Sequence, residues 1–402
     1  MKNNQKNIFR RVITLEYLQS FYICSAFGFL YLIPPRLKMQ IPFLDLKKQY
    51  QHISTEVLTR FEEVCQEASF SGGKFVEEFE REFAHYCHTD YALGVNNGTS
   101  ALHLALLALG IGKGDEVIVP ANTFIATAWA VSYCGATPVF VDCRADTWQI
   151  DASLIEAKIN SKTKAIIGVH LYGQAFDIGA VKTVSQKHNL FLIEDASQAH
   201  GAYYKNKRVG SFGELACFSF YPSKNLGAYG EAGAITTNRE QYAKYIKMLR
   251  NNGSHIPYFH EELGYNMRMS ALQAVSLSVK LKYLDEWNKT RVQIAQCYQK
   301  EIKNTAFQMQ YQPPEVQSVY HLFVITTPQR DHLKDYLAQK GIATGLHYPL
   351  PCHLQRAYKH LNYQKGDCPN AEYLAEHCLS LPMYAELTEQ EVSYIIATLN
   401  AY

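Results

Sequence analysis

Short apolar runs alternate with segments of helical spacing along the chain from Pro42 onward. The runs are about four to eight residues long, and in the segments between them apolar residues recur every three or four positions. This alternation is typical of parallel strands that helices cover on both faces, and it predicts an α/β fold with a mostly parallel central sheet. The predicted strands lie at residues 91–95, 115–120, 137–142, 164–171, 190–195 and 216–220, and the predicted helices at 54–68, 74–87, 101–110, 123–135 and 178–189.

The pattern changes after about residue 240. A helical segment at 239–252 is followed by one continuous helical pattern of about thirty residues, 270–303. The remainder predicts a smaller α+β domain that the long helix joins to the first. Its elements are strand-like runs at 320–327 and 342–348, a helix at 330–341 and two closing helices after Pro369 and Thr388. We expect a large domain of residues 39–265 and a smaller one, with the long helix, of residues 266–402.

The first 38 residues differ in composition from the rest. A basic start is followed by an uncharged, largely apolar run from Tyr17 to Pro35, and two consecutive prolines interrupt any helix that continues from it. Met39 then begins a segment of ordinary globular composition. We expect residues 1–38 to be an extension that is no part of the working enzyme. The alternative is a membrane anchor at residues 17–33, whose length is at the lower limit for crossing a bilayer.

Composition and charge exclude several classes of protein. The 402 residues carry a net charge of +2, with 19% charged residues. These values are ordinary for a soluble enzyme and indicate no strong attraction to nucleic acid or to an anionic membrane. The ten cysteines lack the CxxC spacing of zinc sites. We therefore expect reduced thiols, a cytoplasmic protein and no bound metal.

Glycine and polar residues follow the first predicted strand, and α/β sheets bind ligands at the carboxyl ends of their strands. Gly98, Thr99 and Ser100 stand where a helix begins, and its free backbone N–H groups suit a phosphate. The structural alternative is a plain helix N-cap at Thr99 or Ser100. Phe124 follows the next strand and could stack on a planar ring, although an aromatic residue there is more often part of the core.

A carboxylate and a lysine follow two further strands. Glu194 and Asp195 come after four apolar residues, and a carboxylate at that depth requires a cation or several donors, unless Asp195 only caps a helix. Lys224 lies in a glycine-lined turn after Ser219. Apolar surroundings would lower its pKa and leave it nucleophilic. A phosphate site, an aromatic ring, a carboxylate and a lysine are together what pyridoxal phosphate (PLP) needs.

From Pro42 to the C-terminus the sequence resembles the sugar-nucleotide aminotransferases of the DegT/DnrJ/EryC1/StrS family, which are fold-type I PLP enzymes. The resemblance rests on the stretches IPFLDLKKQY, GVNNGTSALHLAL, VIVPANTFIATA, IEDASQAHGA, FSFYPSKNLGAYGEAGAI, GYNMRMSALQA and HYPLPCHLQ. It implies that Lys224 is the catalytic lysine that binds PLP, that Asp195 contacts the ring nitrogen and that Gln198 lies beside the ring. The other implied roles are phosphate binding by Gly98, Thr99, Ser100 and Ser219, ring stacking by Phe124, phosphate binding across a homodimer interface by Asn266, and sugar-nucleotide binding by His347 and Tyr348.

The resemblance also implies the reaction. Some relatives are dehydratases that carry histidine in place of the lysine, so Lys224 favours transamination. The leading hypothesis is transfer of an amino group from L-glutamate to a dTDP-linked 3-keto-6-deoxyhexose. The alternative acceptor is a dTDP- or UDP-4-keto sugar. Two other hypotheses stay open: a PLP-binding regulatory relative without turnover, and a nucleotide-binding loop around Lys224, which lacks the GxxxxGK[ST] order.

Overall fold

The computed structural model describes residues 39–402, so the expectations for residues 1–38 concern a segment outside the described residues. Within 39–402 the helices are α1 (Leu46–Gln66), α2 (Lys74–Cys87), α3 (Gly98–Ala108), α4 (Ala126–Tyr133), α5 (Ala152–Ile155), α6 (Ile178–Lys187), α7 (Glu240–Leu249), α8 (Ala271–Leu281), α9 (Leu284–Glu301), α10 (Arg330–Gln339), α11 (Pro369–His377) and α12 (Glu389–Asn400). The strands are β1 (Tyr91–Val95), β2 (Glu116–Pro120), β3 (Thr137–Val141), β4 (Thr163–Val169), β5 (Phe191–Asp195), β6 (Tyr203–Tyr204), β7 (Lys207–Arg208), β8 (Leu215–Ser219), β9 (Gly233–Thr237), β10 (Gln308–Met309), β11 (Val316–Gln317), β12 (Phe323–Thr326) and β13 (Cys378–Leu381).

Seven strands form the central sheet, in the order β1-β9-β8-β5-β4-β2-β3. Neighbouring strands pair in parallel except at β9, which runs antiparallel to both β1 and β8. The prediction of a mostly parallel α/β sheet is therefore confirmed. Strand β9 returns directly from the turn that carries Lys224, and the apolar pattern did not predict it.

Helices cover the sheet on both faces because successive side chains of a strand point to opposite sides. Ile166 of β4 packs in a buried cluster with Phe79 and Phe83 of α2, whereas its neighbour Ile167 packs in a second cluster with Leu102 of α3. Both clusters exclude water from the sheet. The sheet therefore forms a rigid base for the residues at its carboxyl edge.

The predicted long helix over 270–303 is two helices, α8 and α9. At the break, the N–H groups of Lys282 and Tyr283 bond the carbonyls three residues earlier, which is the tighter 3₁₀ pattern. The apolar faces of the two helices have different partners, because α8 packs on α1 and α2 whereas α9 packs on α12. This change of partner explains why one continuous pattern produces two elements.

The C-terminal part contains the antiparallel sheet β10-β12-β13 and a buried cluster between this sheet and helices α9, α10 and α12. The strand predicted at 342–348 is wrong: this segment forms only single bridges, from Ile342 to Ile41 and from Gly345 to Ser380. The third strand of the sheet is instead β13. The boundary at residues 265/266 stays a prediction, because residues 39–402 form one compact unit.

Two further findings concern the described residues as a whole. The nine cysteines within 39–402 are free thiols, and most are buried. Within the same range, no helix has the length and apolar character needed to cross a membrane.

Candidate active site

A cavity of about 530 Å³ lies at the carboxyl edge of the central sheet. Residues at the ends of β1, β2, β5 and β8 contribute to its walls, as expected for a parallel sheet. The cavity brings together all of the site residues predicted from sequence except Ser100 and Asn266. Those that line it are Gly98, Thr99, Phe124, Asp195, Gln198, Ser219, Lys224, His347 and Tyr348.

The start of helix α3 forms one end of the cavity. Asn97 is the N-cap, and its Oδ1 atom accepts a hydrogen bond of 2.7 Å from the Ser100 N–H. The alternative of an N-cap at Thr99 or Ser100 is therefore wrong. A Cβ atom on Gly98 would lie 2.6 Å from Cβ of Ser219, so only glycine allows the helix to begin against the end of β8. Backbone N–H groups and the Ser219 side chain meet here in an arrangement that suits an anion.

Asp195 forms the floor of the cavity at the end of β5 and is 5% exposed. Its Oδ2 atom accepts a hydrogen bond of 2.8 Å from the Thr127 hydroxyl, and Oδ1 accepts one of 3.2 Å from the Ser197 N–H. No helix begins at Asp195, so the helix-cap alternative is wrong. Within residues 39–402 the carboxylate has no lysine, arginine or histidine in an ion pair. A buried carboxylate in this state favours a cationic ligand.

The neighbouring Glu194 points away from the cavity and has a structural role. Its carboxylate accepts hydrogen bonds from the His170 ring (3.0 Å) and from the N–H groups of Gly210, Phe212 and Gly213 (2.8, 2.7 and 2.9 Å). Burial raises the pKa of Glu194, but these bonds outweigh burial and hold the pKa below its ordinary value. The two adjacent carboxylates thus have different surroundings, because strand alternation turns them to opposite faces.

Lys224 projects into the cavity from a tight turn. The turn is closed by hydrogen bonds of 2.8 Å from Lys224 N–H to the Tyr221 carbonyl and from Ala228 N–H to the Phe220 carbonyl. Burial lowers the pKa of the Lys224 ammonium to about 8, although the negative charge of Asp195 opposes this shift. At neutral pH an appreciable fraction of the side chain is therefore an uncharged, nucleophilic amine.

A second buried lysine contacts the same turn from behind. Lys280 of α8 donates a hydrogen bond of 2.6 Å to the Gly227 carbonyl and lies over the Tyr229 ring at 3.9 Å. Burial also lowers the pKa of Lys280 to about 8. Its amine does not line the cavity, so a lowered pKa alone does not distinguish the two lysines.

Gln198 and Tyr348 form one side wall. The Gln198 amide accepts a hydrogen bond of 2.7 Å from the Tyr172 N–H and donates one of 3.0 Å to the Tyr348 hydroxyl. The Phe124 ring lies 5.6 Å from the Tyr348 ring and is 51% exposed, so the alternative that Phe124 belongs to the core is wrong. An exposed aromatic face at the mouth of a cavity is available for stacking on a planar ligand.

His347 and His321 complete the C-terminal wall. His347 forms a hydrogen bond of 2.8 Å with the Ser380 hydroxyl, and burial, with the charge of Lys224, lowers its pKa to about 4. Neither His321 nor Thr127 was among the site residues predicted from the sequence. Thr127 lies in the quoted stretch VIVPANTFIATA, and His321 is a polar residue near the start of the strand-like run predicted at 320–327, but neither signal is specific.

Asn266 is exposed and lies outside the cavity, where its backbone forms a bridge to Asn251. Ser100 is buried in the first turn of α3. A role for Asn266 in a neighbouring subunit, and for Ser100 in phosphate binding, stays a prediction.

Comparisons with known proteins agree with this geometry. The model of the DegT/DnrJ/EryC1/StrS aminotransferase family matches residues 51–400. The chain is 44% identical to the dTDP-3-amino-3,6-dideoxy-alpha-D-galactopyranose transaminase of Aneurinibacillus thermoaerophilus, over 90% of this chain and 99% of that protein. It is 43% identical to the "pleiotropic regulatory protein" of Geobacillus stearothermophilus, over 89% and 97%. The structure of S. venezuelae DesV in complex with a ketimine intermediate superimposes with a TM-score of 0.89 at 41% identity, over 90% of this chain and 98% of DesV.

Proposed function

The chain belongs to the DegT/DnrJ/EryC1/StrS aminotransferase family, and we propose that it uses PLP to transfer an amino group from L-glutamate to C3 of a dTDP-linked 3-keto-6-deoxyhexose. The observation that carries the proposal is the pair formed by Lys224 and Asp195 in one cavity. A nucleophilic amine and a buried carboxylate without a cationic partner are the two groups on which PLP chemistry depends. An aminotransferase requires both.

The residues present fit PLP. Lys224 would hold the aldehyde carbon, and Asp195 would face the ring nitrogen. The start of α3, with Gly98, Thr99 and the Ser219 hydroxyl, would bind the phosphate. Phe124 would cover one face of the ring. When bound, PLP supplies an electrophilic carbon for the amino group and a ring that takes up the electron pair released at the substrate carbon.

The protein side chains divide the remaining tasks. The Lys224 Nζ atom would take the proton from the donor Cα and later return it, and a pKa of about 8 suits a group that serves first as base and then as acid. Asp195 would stabilise positive charge on the ring nitrogen, and Thr127 fixes the orientation of the Asp195 carboxylate. His347 and Tyr348 line the side from which the sugar nucleotide enters.

The substrate proposal is supported by the relative from Aneurinibacillus thermoaerophilus, whose name describes a dTDP-linked 3-amino-3,6-dideoxy sugar. The relative with a regulatory name has nearly the same identity. Lys224 and Asp195 favour turnover over regulation alone, because a scaffold has no need of a lysine with a lowered pKa in the same cavity as a buried carboxylate.

We further propose that the active enzyme is a cytoplasmic homodimer in which Asn266 reaches the phosphate of the neighbouring subunit. Its exposure and its position outside the cavity of its own chain support this assignment.

In the deciding experiment, purified protein is incubated with PLP, L-glutamate and one acceptor at a time. The acceptors are dTDP-3-keto, dTDP-4-keto and UDP-4-keto sugars. Formation of 2-oxoglutarate over many turnovers, together with a C3 amine located by NMR, is expected only with the dTDP-3-keto sugars. Glutamate without a usable acceptor should give at most one equivalent of 2-oxoglutarate per cofactor. The Lys224→Ala variant is the control and should form neither product. Amination at C4 would overturn the substrate assignment, and absence of 2-oxoglutarate with every acceptor would overturn the function.

A further inference from the structure

We propose that the Nε2 atom of His321 accepts a hydrogen bond from a neutral hydroxyl group of the sugar. The inference rests on the proposed function and adds a substrate-binding residue to it. It follows from a chain of buried hydrogen bonds whose direction is fixed by two backbone carbonyls.

The chain begins at two backbone carbonyls, which can only accept hydrogen bonds. The Asn288 amide nitrogen donates to the His200 carbonyl at 2.8 Å. The Asn288 oxygen must therefore face Asn225, whose amide nitrogen donates to it at 2.8 Å and to the Val319 carbonyl at 3.0 Å. Asn225 uses both of its N–H groups in this way, so its Oδ1 atom is left as an acceptor.

This acceptor fixes the proton on the His321 ring. The Asn225 Oδ1 atom lies 3.1 Å from Nδ1 of His321. Because Oδ1 cannot donate, Nδ1 must carry the hydrogen. Burial, together with the nearby charges of Lys224 and Arg291, holds the pKa of His321 well below its ordinary value. The ring is therefore neutral, and its Nε2 atom carries an unprotonated lone pair.

The ring is held firmly in the cavity wall. His321 is 7% exposed and lines the cavity with Lys224 and His347. Its backbone rests on Gly173, where φ is +95° and an added Cβ atom would lie 2.7 Å from the His321 nitrogen. Glycine is therefore required at 173 for this close approach. A fixed acceptor in a buried wall costs little side-chain entropy when a ligand binds.

The charges around the ring decide which donor fits. Lys224 and Arg291 both disfavour positive charge at His321. An ammonium group would be repelled there, whereas a hydroxyl group is an uncharged donor. The sugar, rather than the amino group of glutamate, supplies such donors. His321 is thus a recognition residue for the second half-reaction.

Two substitutions separate this role from a structural one. Glutamine can place its oxygen near the position of Nε2, whereas asparagine can keep only the contact to Asn225. We expect H321Q to retain most of kcat/KM for the keto sugar and H321N to lose about ten- to a hundred-fold. The half-reaction with glutamate alone should change less than about threefold in either variant. If His321 only supports Asn225, the order reverses and H321N is the more active variant.

A second measurement does not depend on turnover. Nitrogen NMR of histidine-labelled protein, with H321Q used for assignment, should show His321 protonated at Nδ1 and unprotonated at Nε2. A proton on Nε2 would overturn the inference. Wild-type protein that shows the Nδ1–H form but aminates no keto sugar would instead refute the proposed function and the substrate contact that rests on it. If wild-type protein aminates the keto sugar and the H321N variant is equally active, the contact alone is refuted.

Discussion

The Thr127 hydroxyl donates a hydrogen bond of 2.8 Å to the Oδ2 atom of Asp195. Thr127 lies in the first turns of α4, and Asp195 ends β5, so the bond joins two elements that are distant in the sequence. Thr127 is 1% exposed and also contacts the Thr123 hydroxyl at 3.0 Å. The orientation of the cavity carboxylate is thus set by a neutral, buried donor.

Replacing Thr127 by valine keeps the shape of the side chain but removes this donor. We expect T127V to lower kcat by about ten- to a hundred-fold, because a hydrogen bond to a charged group contributes roughly 1.5–3 kcal/mol. T127S retains the hydroxyl and should stay within about threefold of wild type. Steady-state kinetics measure both variants, and equal activity of T127V and T127S would contradict the assignment.

Adjacent carboxylates should respond differently to the same substitution. D195N is expected to lose at least about a hundred-fold in kcat with little loss of stability, because the ring nitrogen loses its negative partner. E194Q should mainly lower the free energy of unfolding, by roughly 1–3 kcal/mol, because three backbone N–H groups lose a charged acceptor. Kinetics and urea unfolding of both variants test the contrast. Near-normal turnover of D195N would remove Asp195 from the cofactor site.

Lys224 should be the residue that PLP labels. Borohydride reduction in the presence of PLP is expected to attach the cofactor to the peptide that contains Lys224, as read by mass spectrometry. Lys280 is the internal control, since its pKa is also lowered to about 8 but its amine is bonded to Gly227. Capture of PLP by the apoprotein should become faster as pH rises through about 8, because only the uncharged amine reacts. Label on the Lys280 peptide would refute the assignment.

Hybrid dimers test whether the active site is shared between subunits. Mixing K224A subunits with N266D subunits should restore part of the activity, because one site of the hybrid then has both residues intact. A mixture of K224A with D195N is the matched control and should remain inactive, since both residues line the cavity of one chain. Recovery in the control, or none in the test pair once N266D is known to be impaired, would contradict the assignment of Asn266.

Acid should destabilise the fold through a buried histidine. Burial, and secondarily the charge of Lys224, lowers the pKa of His200 from 6.5 to about 3, and the residue is fully buried. Below pH 6.5 the His200 ring binds a proton in the unfolded chain but not in the folded chain. The contribution of His200 to stability is therefore fully present above pH 6.5 and is lost as the pH decreases towards 3. Within this pH range, His200 lowers the free energy of unfolding by about 1.4 kcal/mol for each unit that the pH decreases. Urea unfolding between pH 5 and 8 should show a shallower pH dependence for H200L than for wild type; identical slopes would contradict the prediction.

The sequence predicted the elements whose signals are local. Helix α2 begins and ends where its pattern predicts, because glycines precede it and His88 ends it in a left-handed conformation. Strand β1 is equally well predicted. The break between α8 and α9 was missed because it depends on a change of packing partner, which leaves no mark on the period of apolar residues. Strand β13 was missed because it follows α11 without an intervening turn.

Residues of the candidate site also fall into those that the sequence predicted and those that it did not. Asp195 and Lys224 stood out because a charge directly after a buried strand, or among glycines, is unusual in itself. Thr127 and His321 are ordinary residues in their local surroundings. Their importance comes from contacts with Asp195 and Asn225, which lie 68 and 96 positions away in the sequence. Such pairings exist only once the chain has folded.

The antiparallel pairing of β9 with β8 keeps the residues proposed for proton transfer apart from those proposed for sugar binding. Because β9 pairs directly with β8, the segment that bears Lys224 leaves and re-enters the sheet at the same edge, and Asp195 belongs to the strand beside it. Lys224 and Asp195, the two residues proposed to carry the reaction, are thus held by neighbouring strands of one sheet. His321, His347 and Tyr348 come from residues 320–350, which lie far along the chain and do not belong to that sheet. If the proposed roles hold, substitutions within residues 320–350 change acceptor specificity while Lys224 and Asp195 keep their positions at the central sheet.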